Sequence, residues 1–225
     1  MIHQVLFIIH KLLKTKYYFF LLSFIVAVCY LISSRNRSRA YKIFALYLFV
    51  FVLLDWISTE LYKWFKIYNH FFINIIFLVQ FSLLSFFYSN SFKVNKWRNL
   101  VDVISIVVNL FLLLKYLFFP DDFFKFHYFD IYLTVFPLIV YSTIYLYNDY
   151  EERQELYYAN IGMLIFLIFS FVENLTWPLH SISIENTYMS QFNRLLNVIF
   201  KYVGNTTVVV SSVFFVVQLY KDNKQ

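Results

Sequence analysis

Cysteine occurs once in these 225 residues, glycine twice and proline three times, and only 14% of positions are charged. Each shortage closes a class of function. A lone Cys29 excludes an intrachain disulfide and any metal centre built from cysteines. Two glycines, Gly162 and Gly204, leave no glycine-rich phosphate loop, and with three prolines they offer few places to break a helix at the membrane midplane, as transporters do. A soluble domain carries about a quarter charged residues, so this surface cannot all face water. Cys29 closes the run Phe24-Ile25-Val26-Ala27-Val28-Cys29, which has the outline of a lipoprotein cleavage box. That box needs a small residue where Val28 stands, so a free buried thiol is expected instead.

What is abundant is apolar and aromatic: 61% of residues are hydrophobic, with 30 Phe and 20 Tyr. Phe, Tyr, Ile, Asn and Lys share AT-rich codons, so genomic bias is the first explanation of the aromatic excess and design the second. The net charge of +6 raises nucleic acid as a partner. The basic residues, however, cluster between apolar runs, as in Arg35, Arg37, Arg39 and Lys42, then Lys93, Lys96 and Arg98. That is the pattern of loops facing anionic lipid, and nucleic acid is not expected.

Apolar segments of membrane-crossing length fall at about residues 17–33, 41–59, 71–89, 101–119, 130–147, 160–178 and 195–219. They are apolar on every face, which excludes the alternation of a transmembrane strand and leaves helices. The expected fold is therefore all-α: a bundle of seven transmembrane helices over residues 17–220, with a short polar tail at 221–225 and no soluble domain at either end. Residues 1–16 differ. Ile2, Val5, Leu6, Ile9, Leu12 and Leu13 share one helical face against His3, Gln4, His10, Lys11 and Lys14, the pattern of an amphipathic helix lying on the membrane. A cleaved signal peptide would need a small-x-small site that does not follow.

Orientation follows from Lys and Arg outside the spans. One side holds Arg35, Arg37, Arg39, Lys42, Lys93, Lys96, Arg98, Arg153, Lys221 and Lys224; the other holds Lys11, Lys14, Lys16, Lys63, Lys66, Lys125 and Arg194. Ten against seven favours the N-terminus outside and the C-terminus inside, in a bacterial inner membrane.

Ionisable groups inside spans are costly to bury and are the first functional candidates. Asp55 and Glu60 lie toward the outer end of the second span; His70 and Asn74, one turn apart, open the third. Glu173 and Asn174 stand at the outer end of the sixth, and Asn197, Lys201 and Asn205 recur every four residues at the start of the seventh. These residues are the expected lining of an outward-opening polar pocket, with Glu173 and Lys201 at matching depth and able to pair. The rival reading makes them helix-end groups at headgroup level, with Lys115 and Lys201 reaching outward. Asp102, Ser105 and Asn109 share a face of the fourth span and point into the bundle. Tyr141 and Tyr145, beyond Pro137, either line a cavity at a kink or simply pack. A retinal site is excluded because the third span supplies no carboxylate opposite Lys201, only Asn74 and Gln80.

Ile43-Phe44-Ala45-Leu46-Tyr47 leading to Asp55 and Glu60, Asn69-His70 at the start of the third span, and Trp177 with His180 before the seventh together resemble uncharacterised bacterial integral membrane proteins of similar length with seven spans. The resemblance implies the seven-span architecture and no particular activity.

Three functions remain. The first is a non-enzymatic sensor or accessory subunit that takes a ligand or partner in the polar pocket and signals through another membrane or cytoplasmic protein. The second is a channel or transporter, against which an odd span count and the absence of an internal repeat weigh. The third is an intramembrane enzyme acting on lipid, which lacks paired carboxylates and a His-x-x-x-His motif. No cofactor or metal is expected, the lipid bilayer is the constant partner, and oligomer formation stays open.

Overall fold

The structure is a computed structural model that describes residues 16–65, 70–125, 127–148, 155–181 and 187–222, with side chains described for these except 16, 17, 19, 62–65, 70, 175–181, 187–203 and 205. The amphipathic helix expected over residues 1–16 and the tail beyond 222 therefore lie outside the described residues, apart from Lys16. Among the described residues every regular element is helical.

The helices follow the apolar runs. They are α1 (Lys16–Ser33), α2 (Arg39–Phe65), α3 (His70–Ser91), α4 (Asn95–Phe118), a four-residue α5 (Pro120–Phe123), α6 (Tyr128–Asn148), α7 (Tyr157–Ser181) and α8 (Thr187–Asp222), with a 3-10 turn at Ser34–Asn36. The breaks have local causes. Ser38 precedes α2, and its Oγ accepts the Tyr41 N–H at 3.1 Å, an N-cap bond. Pro120 opens α5, where its missing N–H costs nothing, and Asp121 and Asp122 complement the helix dipole there.

Among the described residues five stretches are long and apolar enough to cross a membrane: Arg39–Leu61, Phe71–Ser91, Asn95–Phe118, Tyr128–Asn148 and Tyr157–Asn174. A shorter apolar stretch, Phe20–Asn36, precedes them. The helices run alternately up and down. The turns at residues 34–38 and 92–94 gather Arg35, Arg37 and Lys93 at one end, the basic end; α5 marks the far end.

Neighbouring helices close a ring in the order α1, α2, α3, α6, α7, α8 and back to α1. The fourth helix is left outside, against α3. Only 17% of the α4 span is buried, compared with 44% for α3 and α6, so α4 is the peripheral member. Val103, Ile106, Leu110 and Leu117 on its outward face are exposed, as a lipid-facing surface requires. Its inward face carries Val101, Val108 and Leu112, and there Asn109 accepts from Ser82 Oγ at 2.8 Å, which agrees with the inward stripe read from the sequence.

The middle of the ring is aromatic. Phe44 lies 5.5 Å from Tyr30, 5.4 Å from Phe87 and 5.9 Å from Phe215 between ring centroids, so one side chain ties α2 to α1, α3 and α8. Tyr30, Tyr41, Tyr47, Tyr88, Tyr141 and Tyr145 are essentially fully buried. Aromatic residues thus build the core, whatever the codon bias behind their number. Tyr141 and Tyr145 belong to this core, 5.9 Å and 6.1 Å from the Tyr88 ring; packing is their role, not the lining of the cavity described below. Gly162 allows α7 and α8 to approach closely: a Cβ there would meet Phe214 Cβ and the Ser211 carbonyl oxygen, each at 3.0 Å. The expectation for Cys29 is corrected: it stands on the outer face of α1 and is exposed, where a small apolar thiol suits lipid as well as core.

Candidate ligand cavity

The α1, α2, α7 and α8 helices do not fill the space between them. A cavity of about 180 Å3 remains, lined by Phe20, Ser23 and Val26 of α1, Tyr47, Leu48, Phe51, Val52 and Asp55 of α2, Met163 and Phe166 of α7, and Val208, Ser211, Ser212 and Phe215 of α8. The wall is mostly apolar, with hydroxyls and one carboxylate set into it, the composition of a small-molecule site. A cavity of about 150 Å3 in a protein core admits benzene, which sets the scale of an occupant.

The polar groups have distinct local origins. Ser211 Oγ donates to the Gly162 carbonyl at 2.9 Å, so the α7–α8 close approach also forms a wall of the cavity. Tyr47 OH points at Met163 Sδ, 3.8 Å away, and bridges α2 to α7. Hydroxyls in apolar helices ordinarily bond back one turn, as those of Ser91 and Thr143 do here, each at 2.8 Å to the carbonyl four residues earlier. Asp55 sits at the far-end limit of the cavity, on the exposed side of α2.

Below the cavity, toward the basic end, the same four helices are cross-linked by hydrogen bonds. Tyr30 OH donates to the Phe215 carbonyl at 3.0 Å, joining α1 to α8. Arg37 donates to the Asp222 carbonyl, joining the α1–α2 turn to the end of α8. Gln218 accepts from the Tyr158 N–H at 2.9 Å and donates to the Glu155 carbonyl at 2.6 Å and to Asp222 Oδ1 at 2.7 Å, joining α8 to the start of α7. Lys221 lies over the Tyr158 ring, 4.0 Å from its centroid.

The residues singled out in the sequence are distributed more widely than one pocket. Asp55 lines the cavity. Glu60 is half-buried one turn beyond it. Asn74 faces a different set of elements: its amide donates to the Phe123 and Lys125 carbonyls at 2.8 and 3.0 Å, fastening α5 and the turn after it to α3. Asn174 donates to Ser170 O at 2.7 Å and borders a small crevice with Tyr128 and Phe171. Glu173 faces α8, its Oε2 being 3.7 Å from where a Cβ on Gly204 would stand. The side chains of His70, Asn197 and Lys201 lie outside the described residues, and with them the Glu173–Lys201 pairing.

Lys115 does not reach outward. Its Nζ bonds Asp130 Oδ1 at 2.8 Å and Oδ2 at 2.7 Å, and Tyr116 OH adds a third bond at 3.0 Å. Both charged side chains are largely buried, 15% and 4% exposed. Reaching Asp130 satisfies the ammonium without leaving the bundle, which the headgroup reading did not foresee because Asp130 belongs to another helix.

Ser23, Tyr47, Ser211 and Ser212 were missed. The Ser211-Ser212 pair inside an unbroken Val and Phe run was the available signal, since small polar residues within spans mark helix contacts. Among the described residues no group of three or more His, Cys, Asp or Glu is placed to hold a metal ion. No family model, curated protein or solved structure matches this chain.

Proposed function

We propose that this chain is a seven-span protein of a bacterial inner membrane, in which α1 and α8 join the five long apolar helices in crossing the bilayer, and that it is a sensor or accessory subunit binding a small ligand between α1, α2, α7 and α8. The cavity itself is the observation that supports this reading. Its size suits a molecule of about one ring or a short acyl segment. Its wall suits an apolar body with a hydrogen-bonding or cationic head, met by Ser23, Ser212 or Asp55. The hydrogen bonds from Tyr30, Arg37 and Gln218 to α8 and its neighbours give a route by which a change in helix spacing at the cavity reaches the basic end, where a partner protein would read it.

Benzylamine and benzyl alcohol are suitable probes, sharing a ring and differing in the charge of the head. Either should raise the thermal midpoint of the detergent-solubilised protein in a saturable way. Met163→Trp, which fills the cavity, should remove both shifts, and Asp55→Asn should reduce the benzylamine shift alone. Equal shifts in wild type and Met163→Trp would end the proposal.

A further inference from the structure

The cavity between α1, α2, α7 and α8 has two unlike ends. Toward the basic end its wall is made by Tyr47, Met163 and Phe215, all buried. Behind them aromatic rings seal the floor: between centroids, Phe44 lies 6.1 Å from Tyr47 and 5.9 Å from Phe215, and Tyr30 lies 6.3 Å from Phe215. Toward the far end the lining residues Phe20, Phe166 and Val208 are only half-buried, and Asp55 is exposed. Burial falls away along the cavity, so its mouth is beside Asp55. From Tyr47 to Asp55 is about 12 Å along α2. A space of about 180 Å3 spread over that depth is longer than it is wide, and a chain follows it better than a ring.

The polar groups are ordered in the same direction. At the floor the Tyr47 hydroxyl points at Met163 Sδ, and Ser211 Oγ is held by the Gly162 carbonyl. Ser23 and Ser212 add hydroxyls higher in the wall, and Asp55 at the mouth is the charged residue among the described lining residues. A charge at the sealed floor would be buried among rings without a counter-charge, which is far more costly than leaving it at the mouth. A ligand with one charged and one apolar end therefore enters tail first. Asp55 sets the sign of the head. A carboxylate accepts at about four positions, so an ammonium can share it with whatever it already bonds.

The rim suits the membrane rather than open water. Trp56, the residue after Asp55, is 44% exposed and stacks on Phe20 with 6.0 Å between centroids. Leu21 and Leu22 are exposed on the adjoining turn of α1. Tryptophan favours the headgroup level, where an ammonium also keeps part of its hydration. A molecule already lying in the bilayer reaches this mouth from the side.

Resting on the reading of the cavity as a ligand site, we propose that its ligand is a single-chain amphiphile with a cationic head, taken from the surrounding leaflet, with its ammonium against Asp55 and its alkyl tail directed at Phe215. The floor reads chain length. A cavity of about 150 Å3 holds the six carbons of benzene, so one of about 180 Å3 holds a tail of about six or seven. A shorter tail leaves the floor unfilled, and a longer one pushes the ammonium past Asp55.

The test uses the full chain in phosphatidylcholine nanodiscs, with straight-chain amines from butylamine to dodecylamine and the matching alcohols as probes, and reads the thermal midpoint. The rise should be greatest with hexylamine or heptylamine and lost by decylamine. At that optimum the amine should act at about tenfold lower concentration than the alcohol of equal length. Met163→Ala deepens the floor and should move the optimum to octylamine or longer. Asp55→Asn, at an exposed position, should erase the advantage of the amine and leave the optimum length unchanged. A response that changes steadily with chain length, alike in wild type and Met163→Ala, is partitioning into the bilayer and overturns the proposal. So does an amine that acts no better than its alcohol in wild type. If benzylamine raises the midpoint and Met163→Trp removes that rise, while the straight-chain amines show no optimum, the ligand cavity stands and this proposal falls. If benzylamine is also without effect, both fall.

Discussion

Lys115 and Asp130 show how one contact decides the meaning of a charge in a membrane helix. Alone, Lys115 lies within reach of the headgroups; paired, it is a buried ion held by two bonds to one carboxylate. Removing one member of such a pair leaves the other buried without a counter-charge, at a cost of about 3–5 kcal/mol. Lys115→Met should therefore lower the thermal midpoint sharply in detergent. Lys115→Met combined with Asp130→Asn should recover much of the loss, because the amide needs no counter-ion and still accepts from Tyr116. A double variant as unstable as the single one would show that the lysine stem, not its charge, is what matters.

At the scale of elements, α8 is fastened at the basic end by residues from α7 and the α1–α2 turn, and Asp222 sits at the centre of those bonds, 5% exposed. Burial is the largest influence on its carboxyl and pushes it above the ordinary carboxylate range, while the Gln218 amide, the Tyr41 hydroxyl and the Arg37 charge pull it back. A carboxyl that holds its proton more tightly in the folded state stabilises the fold below its unfolded pKa. That contribution is lost as pH climbs through the raised folded value. Asp222→Asn imitates the protonated form and keeps an oxygen for Gln218. It should raise the thermal midpoint at neutral pH and leave it nearly unchanged under acid conditions. A fall at both pH values would mean the carboxylate is needed as a charge.

For the whole molecule, the apolar runs were legible because length and hydropathy alone define a membrane-crossing helix. The all-helical class and five of the expected spans follow directly from them. Which faces meet was not legible. In a segment apolar all round, periodicity does not separate a lipid-facing Phe118 from a core Phe44, so the sequence pointed to ionisable groups and passed over Ser211 and Ser212. Nor does chain order reveal that α3 packs beside α6 while α4 stands outside. The proposed topology has a direct test in single cysteines introduced on a Cys29→Ala background. With seven spans and the N-terminus outside, an impermeant maleimide applied to intact cells should modify Lys11→Cys and Lys125→Cys. Lys93→Cys and Lys224→Cys should be modified only after permeabilisation. Labelling of Lys11→Cys and Lys224→Cys from the same side would refute the odd span count.

The peripheral position of α4 also bears on biogenesis. Synthesis from the N-terminus delivers α4, with Lys115, to the bilayer before α6 and its Asp130 exist. Until α6 arrives the lysine must keep its head at the water boundary, so α4 first sits high in the membrane or tilted. In the finished fold Asp130 holds the ammonium and Asn74 ties α5 to α3, so the lysine gains its counter-charge only once α6 is in place. The ion pair thus imposes an order on the chain: α4 is made before the partner its lysine needs, and that need is met only when α6 follows.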